Sequence, residues 1–368
     1  MLHSGRPLRL LVVTEKPLDR APHQRFRHEQ WAPYLARDHD IHLAFTPFES
    51  PALADLMDRP GHRAEKLARA VAATARRWRH RHDVRAHDGV VILRSASLLG
   101  GAWYERHLNA LGVPYVFDFD DAIWEPPPGW TRHVWRAHLR VPESIRRAAA
   151  ATPGNSYLAE YARRFNRRVT IVPTTIDLAR YEAAPQRPPS DELRILWMGS
   201  AATLSHLDTV LPALRQLAAR IPLHLHVVYN GPSREHRGLR VQYTPWSPEV
   251  ETTAIAGCDV GIMPVPDIPF ARGKCGLKAL QYMSVARASV VSPVGVNRDI
   301  IRDGENGLWA STDDEWVAQL ERLARDPALR ARLAEAGRAT VEREYSATVG
   351  AAKFAAVARE AFTPVARA

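Results

Sequence analysis

A chain of 368 residues is long enough for two α/β domains of similar size, each burying its own core. Hydrophobic residues at 46% beside 24% charged exclude a disordered chain, and the two cysteines, Cys258 and Cys275, fit neither a disulfide framework nor a zinc pattern, which points to a reducing compartment. A net charge of +10 admits an acidic partner such as nucleic acid, an anionic membrane face or a phosphorylated substrate, although an arginine-rich surface is the simpler reading of charge alone.

Met1 to Arg9 lacks the apolar stretch of a signal peptide, and no run approaches about 18 uninterrupted apolar residues, so a cytoplasmic location is expected. Leu8 to Thr14 has the continuous apolar pattern of a buried parallel strand. After a loop with two prolines, Arg25 to Leu35 predicts a helix with Trp31, Tyr34 and Leu35 on one face, and Ile41 to Phe45 completes a β-α-β unit. Ligands of such sheets sit where strands end, which places His23, Arg25 and Arg27 near a plausible binding edge, with solvated basic residues as the alternative. Between Arg59 and Asp88 the chain carries nine Arg or Lys against three acids. Leu67, Val71, Ala75 and Trp78 recur there at helical spacing, fitting either a membrane-surface patch or an ordinary helix packed by Leu67 and Val71. Gly89 to Leu93 is a strand, Trp103 to Leu111 a helix, and Val113 to Trp124 a strand ending in the carboxylates Asp118, Asp120 and Asp121.

Asn155 or Ser156 caps a helix from Tyr157 to Phe165, and Val169 to Val172 is the last predicted strand of the first half. The proline-rich run Glu182 to Ser190 marks a linker, giving domains over 1–185 and 190–345. A second α/β unit opens with the strand Leu193 to Met198, the small-residue turn Gly199 to Thr203, a helix from Leu207 to Arg220 and the strand Leu223 to Val228. Trp246 lies before a helix beginning near Glu249, where it either stacks on a base or fills the core. Pro264 to Ser284 runs from a proline-rich loop through Gly273 and Gly276 into an apolar-periodic helix starting near Gly276. The first amides of that helix have no intrahelical acceptors, and Arg272, Lys274 and Lys278 place cations beside them, a combination that suits a phosphate. A strand from Ala288, the segment Arg302 to Trp309 and three helices, the last from Ser346 to Phe362, close the chain.

The run from Cys258 to Trp309 resembles the donor-binding half of family-4-like retaining glycosyltransferases of the GT-B fold, and Asp118 to Trp124 is similar to a segment of GT-B enzymes from surface-glycan pathways. The resemblance implies an α/β fold of two Rossmann-like domains with parallel sheets facing an interdomain cleft, the last helix (346–368) crossing back to the first domain as a strap. It also implies transfer of a sugar from a nucleoside diphosphate, UDP or GDP, to an acceptor hydroxyl, with no cofactor. The donor residues it implies are Gly199, Ser200, Thr203, Trp246, Arg272, Lys274, Gly276, Leu277, Lys278 and Gln281, the last on the ribose. Asp120, Asp121 and Lys278 are the candidate catalytic groups, with a strand-end cap as the alternative for the two aspartates, and Arg25 and Arg27 are the candidate acceptor contacts. Asp-x-Asp is also a divalent-ion pattern of the other major glycosyltransferase fold, but a helix-start phosphate site supplies cations without a metal, so none is expected.

The sequence departs from the family pattern at four places, the first being Asp120-Asp121 at the end of a strand that in relatives often carries a histidine near the reacting sugar. Ser200 and His206 stand where relatives carry Arg and Lys on the diphosphate, a loss that Lys274 and Lys278 can make good. The Glu, seven residues, Glu pair is replaced by Gly273 and Gln281, and Thr174-Thr175 replaces Asn-Gly after Pro173. A nucleotide-sugar epimerase of the same fold, a sugar-nucleotide-binding protein without turnover and a basic nucleic-acid module are the competing functions. The implied acceptor is a sugar or lipid-linked sugar in surface glycan or glycoconjugate synthesis, with an anionic membrane at the inner face as a further partner.

Overall fold

A computed structural model describes residues 6–362 apart from 58, 60, 126–136 and 186–189. The chain divides into two compact units, Met1–Thr174 with Ala347–Ala368, and Thr175–Ser346. The division falls ahead of the proline-rich stretch, because that stretch is tied into the second unit: the Ala184 amide donates to the Val285 carbonyl at 3.2 Å, and Arg287 donates to the carbonyls of Ala184 and Pro185. The remainder of the linker, 186–189, lies outside the described residues.

In the first unit a parallel sheet has the order β2-β1-β3-β4-β5, formed by β1 (Leu8–Thr14), β2 (Ile41–Pro47), β3 (Gly89–Leu93), β4 (Tyr115–Phe119) and β5 (Ala150–Pro153). Every residue of β3 and β4 is buried, as parallel strands covered on both faces require. The last strand is β5, not Val169 to Val172; the latter runs extended beside it with a single bridge, Ala151 to Val169. Ala150 and Ala151 carry no β-branched signal, and their strand character comes from pairing with Val116 and Phe117. The C-terminal helix Ala347–Phe362 belongs to this unit, with Phe354 edge-on to His28 at 4.6 Å and near-parallel to Trp31 at 6.0 Å.

The helix expected from Arg25 begins only at Gln30. Between Pro22 and Glu29 the backbone makes a helical turn and then a kink, with Phe26 and Arg27 outside helical φ/ψ. The helix Arg63–Arg79 is held by Ala70, Ala73 and Arg77, and Leu67 and Val71, the residues expected to pack it, are exposed. The Arg77 guanidinium donates to the Thr46 carbonyl and lies over the rings of Phe48 and Tyr104, which fixes that choice of face.

In the second unit a parallel sheet has the order β11-β10-β9-β6-β7-β8, formed by β6 (Leu193–Met198), β7 (Leu223–Val228), β8 (Arg240–Thr244), β9 (Val260–Met263), β10 (Ala288–Val291) and β11 (Leu308–Trp309). The helix expected from Leu207 to Arg220 is two, Leu204–Asp208 and Leu211–Ala218, with Pro212 in the first turn of the second. No described helix is long and apolar enough to cross a membrane.

Candidate functional site

The carboxyl edge of the second sheet collects the residues singled out for phosphate binding. Gly199 follows β6 directly, and a Cβ there would meet the buried Trp197 ring at 2.2 Å and Thr203 Oγ1 at 2.8 Å, so only glycine lets the chain turn. Ser200 and Thr203 then form a capping box, the Ser200 amide donating to Thr203 Oγ1 at 3.0 Å. The loop after the neighbouring strand β9 is pinned by the Val265 amide, which donates to Ser292 Oγ at 3.0 Å beyond β10. Gly276 caps the helix Leu277–Ser284 with φ of 68°, and its α-carbon faces Ile300 so closely that a Cβ would lie 2.3 Å from Cδ1. No side-chain cap closes this helix start.

Lys274 and Lys278 meet His206 at this helix start. Burial, followed by the charges of Lys274 and Lys278, pushes the His206 pKa down to about 4, so its imidazole is neutral at pH 7. The two ammonium groups flanking the helix start therefore oppose protonation of His206. Lys274 also sits 4.7 Å from the centre of the Phe270 ring, and Leu277 is half-buried beside the two lysines. Arg272 is placed differently, its guanidinium bound to Asp267 at 2.6 Å on the exposed side of the loop.

Trp246 and Gln281 belong to an adjoining network. Trp246 Nε1 donates to the buried carboxylate of Glu251 at 2.7 Å, Tyr181 Oη donates to the same carboxylate, and Gln281 Nε2 donates to Tyr181 Oη at 3.2 Å. Gln281 is thus not displayed for a ribose in this structure; its amide nitrogen is turned inward because Tyr181 offers a buried acceptor. Tyr181 and Glu251 were not singled out from sequence, and nothing local to either residue signals the contact. The half-buried Trp246 ring is held by this chain and by its own amide, which donates to Asn230 Oδ1 at 2.9 Å.

At the carboxyl edge of the first sheet the charges are paired. Arg27, read from sequence as an acceptor contact, is fully buried: Nε and Nη2 grip Asp118 at 2.8 and 2.6 Å, and Nη1 donates to the Val172 carbonyl at 2.7 Å. The kink at Phe26 and Arg27 aims the side chain into the core instead of outward. Burial works against the Asp118 charge, and Arg27 heads the groups that nevertheless hold its carboxyl well below the usual carboxylate range. Arg25 is also buried, its guanidinium 4.6 Å from the Phe26 ring centre.

Asp120 and Asp121 are brought together by Arg94, which immediately follows β3. Arg94 Nε donates to Asp120 Oδ1 at 2.7 Å and Nη2 to Asp121 Oδ2 at 2.6 Å, all three side chains being less than one-fifth exposed. Arg94 has φ of 56°, a left-handed conformation that a non-glycine residue keeps only when its surroundings hold it. Here the Arg94 amide is fixed by the Asp118 carbonyl at 2.8 Å. Burial opposes the guanidinium charge, but Asp120, Asp121 and Glu15 more than offset this and raise its pKa. Burial raises the Glu15 carboxyl and, together with Arg94, lowers the His23 imidazole well below its ordinary value. The buried Nε2 of His23 has no hydrogen-bond partner among the described residues. Glu15, Arg94 and Asp120 directly follow three adjacent strands, β1, β3 and β4, and a search of the strand ends rather than of motifs would have found Arg94.

Comparison with known proteins bears on both units. Residues 192–326 match the family described as glycosyl transferases group 1. No curated protein matches the chain by sequence. Among solved structures, sucrose-phosphate synthase from Thermosynechococcus elongatus superposes with a TM-score of 0.67 at 16% identity, covering 97% of this chain and 99% of its own. HepE of Anabaena in complex with UDP and glucose gives 0.69 at 12% identity, covering 95% of this chain and 99% of its own. A glycosyltransferase from Rickettsia africae gives 0.67 at 12%, covering 98% of this chain and 100% of its own. The chain has the GT-B fold. Residues 192–326, which match that family, contain Gly199, His206, Lys274, Gly276 and Lys278, so the phosphate-suited edge falls within the matched residues.

Proposed function

We propose that this GT-B protein transfers a sugar from a nucleoside diphosphate to an acceptor hydroxyl, in the synthesis of a surface glycan or glycoconjugate. The observation that carries the proposal is the convergence of Lys274, Lys278 and His206 on the uncapped start of the helix Leu277–Ser284. In the transfer, the bond from the anomeric carbon to the phosphate oxygen breaks with its electron pair leaving on the diphosphate, and the acceptor oxygen bonds that carbon. Two ammonium groups and a helix start stabilise the charge that develops on the diphosphate. The leaving phosphate takes the acceptor proton on the same face, which retains configuration; this step rests on the family resemblance. Asp120 and Asp121, held by Arg94, supply carboxylate acceptors for hydroxyl groups of the acceptor sugar. UDP is the first nucleotide to try, because the HepE structure holds UDP, and GDP is the second.

Thermal unfolding in the presence of UDP, GDP, UMP and GMP tests the binding step. Diphosphates should raise the melting temperature more than monophosphates, and no shift with any diphosphate at millimolar concentration would overturn the reading. Assays with UDP- and GDP-sugars then separate the functions: a transferase moves the sugar onto the acceptor with release of the nucleoside diphosphate, whereas an epimerase of the same fold acts on the donor alone, giving the epimeric nucleotide sugar or, with water, free epimeric sugar and nucleoside diphosphate.

A further inference from the structure

The helix Arg63–Arg79 is built inside out. Its small residues Ala70 and Ala73 face the protein, while Leu67, Val71 and Trp78 are 56%, 53% and 50% exposed. These three stand at positions i, i+4 and i+11, one stripe of a helical surface, and the exposed Ala64, Ala68, Ala72 and Ala75 widen that stripe on one side. An ordinary surface helix puts its large apolar residues inward and its alanines outward. The orientation is not loose: Arg77 and Arg76 reach the carbonyls of Thr46 and Phe48, and Ala73 packs on Phe48 and Leu53.

The rim of the stripe is cationic. Residues 63–85 contain eight Lys or Arg against two acids, and Arg63, Arg69, Arg76 and Arg79 are exposed along the helix. At its C-terminal end Trp78 lies 5.3 Å from the Trp103 ring and carries the Arg81 guanidinium 4.3 Å from its centre, an aromatic body with a charged tip. Aromatic rings of this kind settle at the level of lipid headgroups. With 17 residues the helix is about 25 Å long, enough to lie along a bilayer surface with its apolar face immersed.

We infer that this helix docks the first unit on an anionic bilayer, Leu67, Val71 and Trp78 entering the headgroup boundary and the flanking arginines meeting lipid phosphates. Charge decides among possible occupants: a second copy would bring the same arginines against these, whereas an anionic lipid surface complements both the apolar stripe and its rim. The inference does not depend on the proposed transfer reaction, since docking is measured without any nucleotide.

The test is sedimentation of the full chain with phosphatidylcholine vesicles and with vesicles half phosphatidylglycerol, at low and at physiological salt. Binding to the anionic vesicles should be at least tenfold stronger than to the neutral ones and should weaken with salt. The triple variant Leu67→Glu, Val71→Glu, Trp78→Glu should lose it while keeping its melting temperature, because the side chains changed are exposed. Arg63→Ala with Arg69→Ala and Arg79→Ala should lose the lipid preference and keep the fold. Equal binding to neutral and anionic vesicles, or wild-type binding by the glutamate variant, overturns the inference. So does concentration-dependent dimerisation that the glutamate variant abolishes when no vesicles are bound.

Discussion

The carboxyl edges of the two sheets use charge in opposite ways. In the first unit positive meets negative: Arg27 with Asp118, Arg94 with Asp120 and Asp121, each at 2.6–2.8 Å. In the second, positive gathers with positive, and Lys274 and Lys278 add to burial in keeping His206 deprotonated. An edge whose charges satisfy one another is suited to orienting neutral hydroxyl groups. An edge that concentrates one sign at a helix start suits an anion. The difference teaches that counting basic residues along a sequence misplaces sites: Arg27 and Lys274 look alike in the chain, yet one is a core strut and the other faces a phosphate-suited turn.

The largest expected effect breaks the pairing in the first unit. Asp118→Asn leaves Arg27 charged and buried, and should cost about 3–5 kcal/mol, measured as loss of the first-unit transition in denaturant unfolding. An unchanged transition would mean that the pair is not the strut described. Next, Gly276→Ala sets a Cβ against Ile300 in a left-handed conformation and should cost roughly 1–3 kcal/mol of second-unit stability, read from its own transition.

Turnover comes after stability. Asp121→Asn keeps size, removes the charge that Arg94 grips, and should lower kcat roughly tenfold, or about 1.4 kcal/mol, while donor affinity stays within twofold. Steady-state kinetics with varied donor checks this, and wild-type kcat would show that Asp121 only caps its strand. The smallest effect concerns His206. A bound diphosphate should raise its pKa, and a rise from about 4 to roughly 6 makes lowering the pH from 7.5 to 6 favour binding to wild type over His206→Gln by roughly twofold. In the free protein the sign is fixed by the depressed pKa. The contribution of His206 to stability is present above about 6.5 and is lost as pH falls through about 4, which pH-dependent melting of wild type against His206→Gln reports.

Much of the scaffold was legible because buried parallel strands are continuous apolar runs: β1, β6 and β7 begin and end where the pattern does. The helix start, expected near Gly276 and found at Leu277, was legible from glycines and prolines, which act locally. Contacts made across the chain were not. Arg27 meets Asp118 ninety-one residues away, and Gln281 meets Tyr181 one hundred residues away, so neither burial has a local signature. Arg94 was missed for another reason: its left-handed backbone, normally announced by glycine, is imposed here by the Asp118 carbonyl and two carboxylates. Which face of Arg63–Arg79 is exposed stays open in the sequence, because the periodicity of Leu67 and Val71 tells which residues share a side, not which side packs.

The contrast between the edges is tested most directly by calorimetric titration of UDP and GDP into the wild type and two double variants. For Lys274→Ala with Lys278→Ala, affinity for the preferred diphosphate should fall by about 1–3 kcal/mol, the size of charge-assisted hydrogen bonds lost. For Asp120→Asn with Asp121→Asn it should stay within twofold of wild type. Unchanged affinity in the lysine variant, or an equal loss in the aspartate variant, would contradict the assignment of the diphosphate to the second unit.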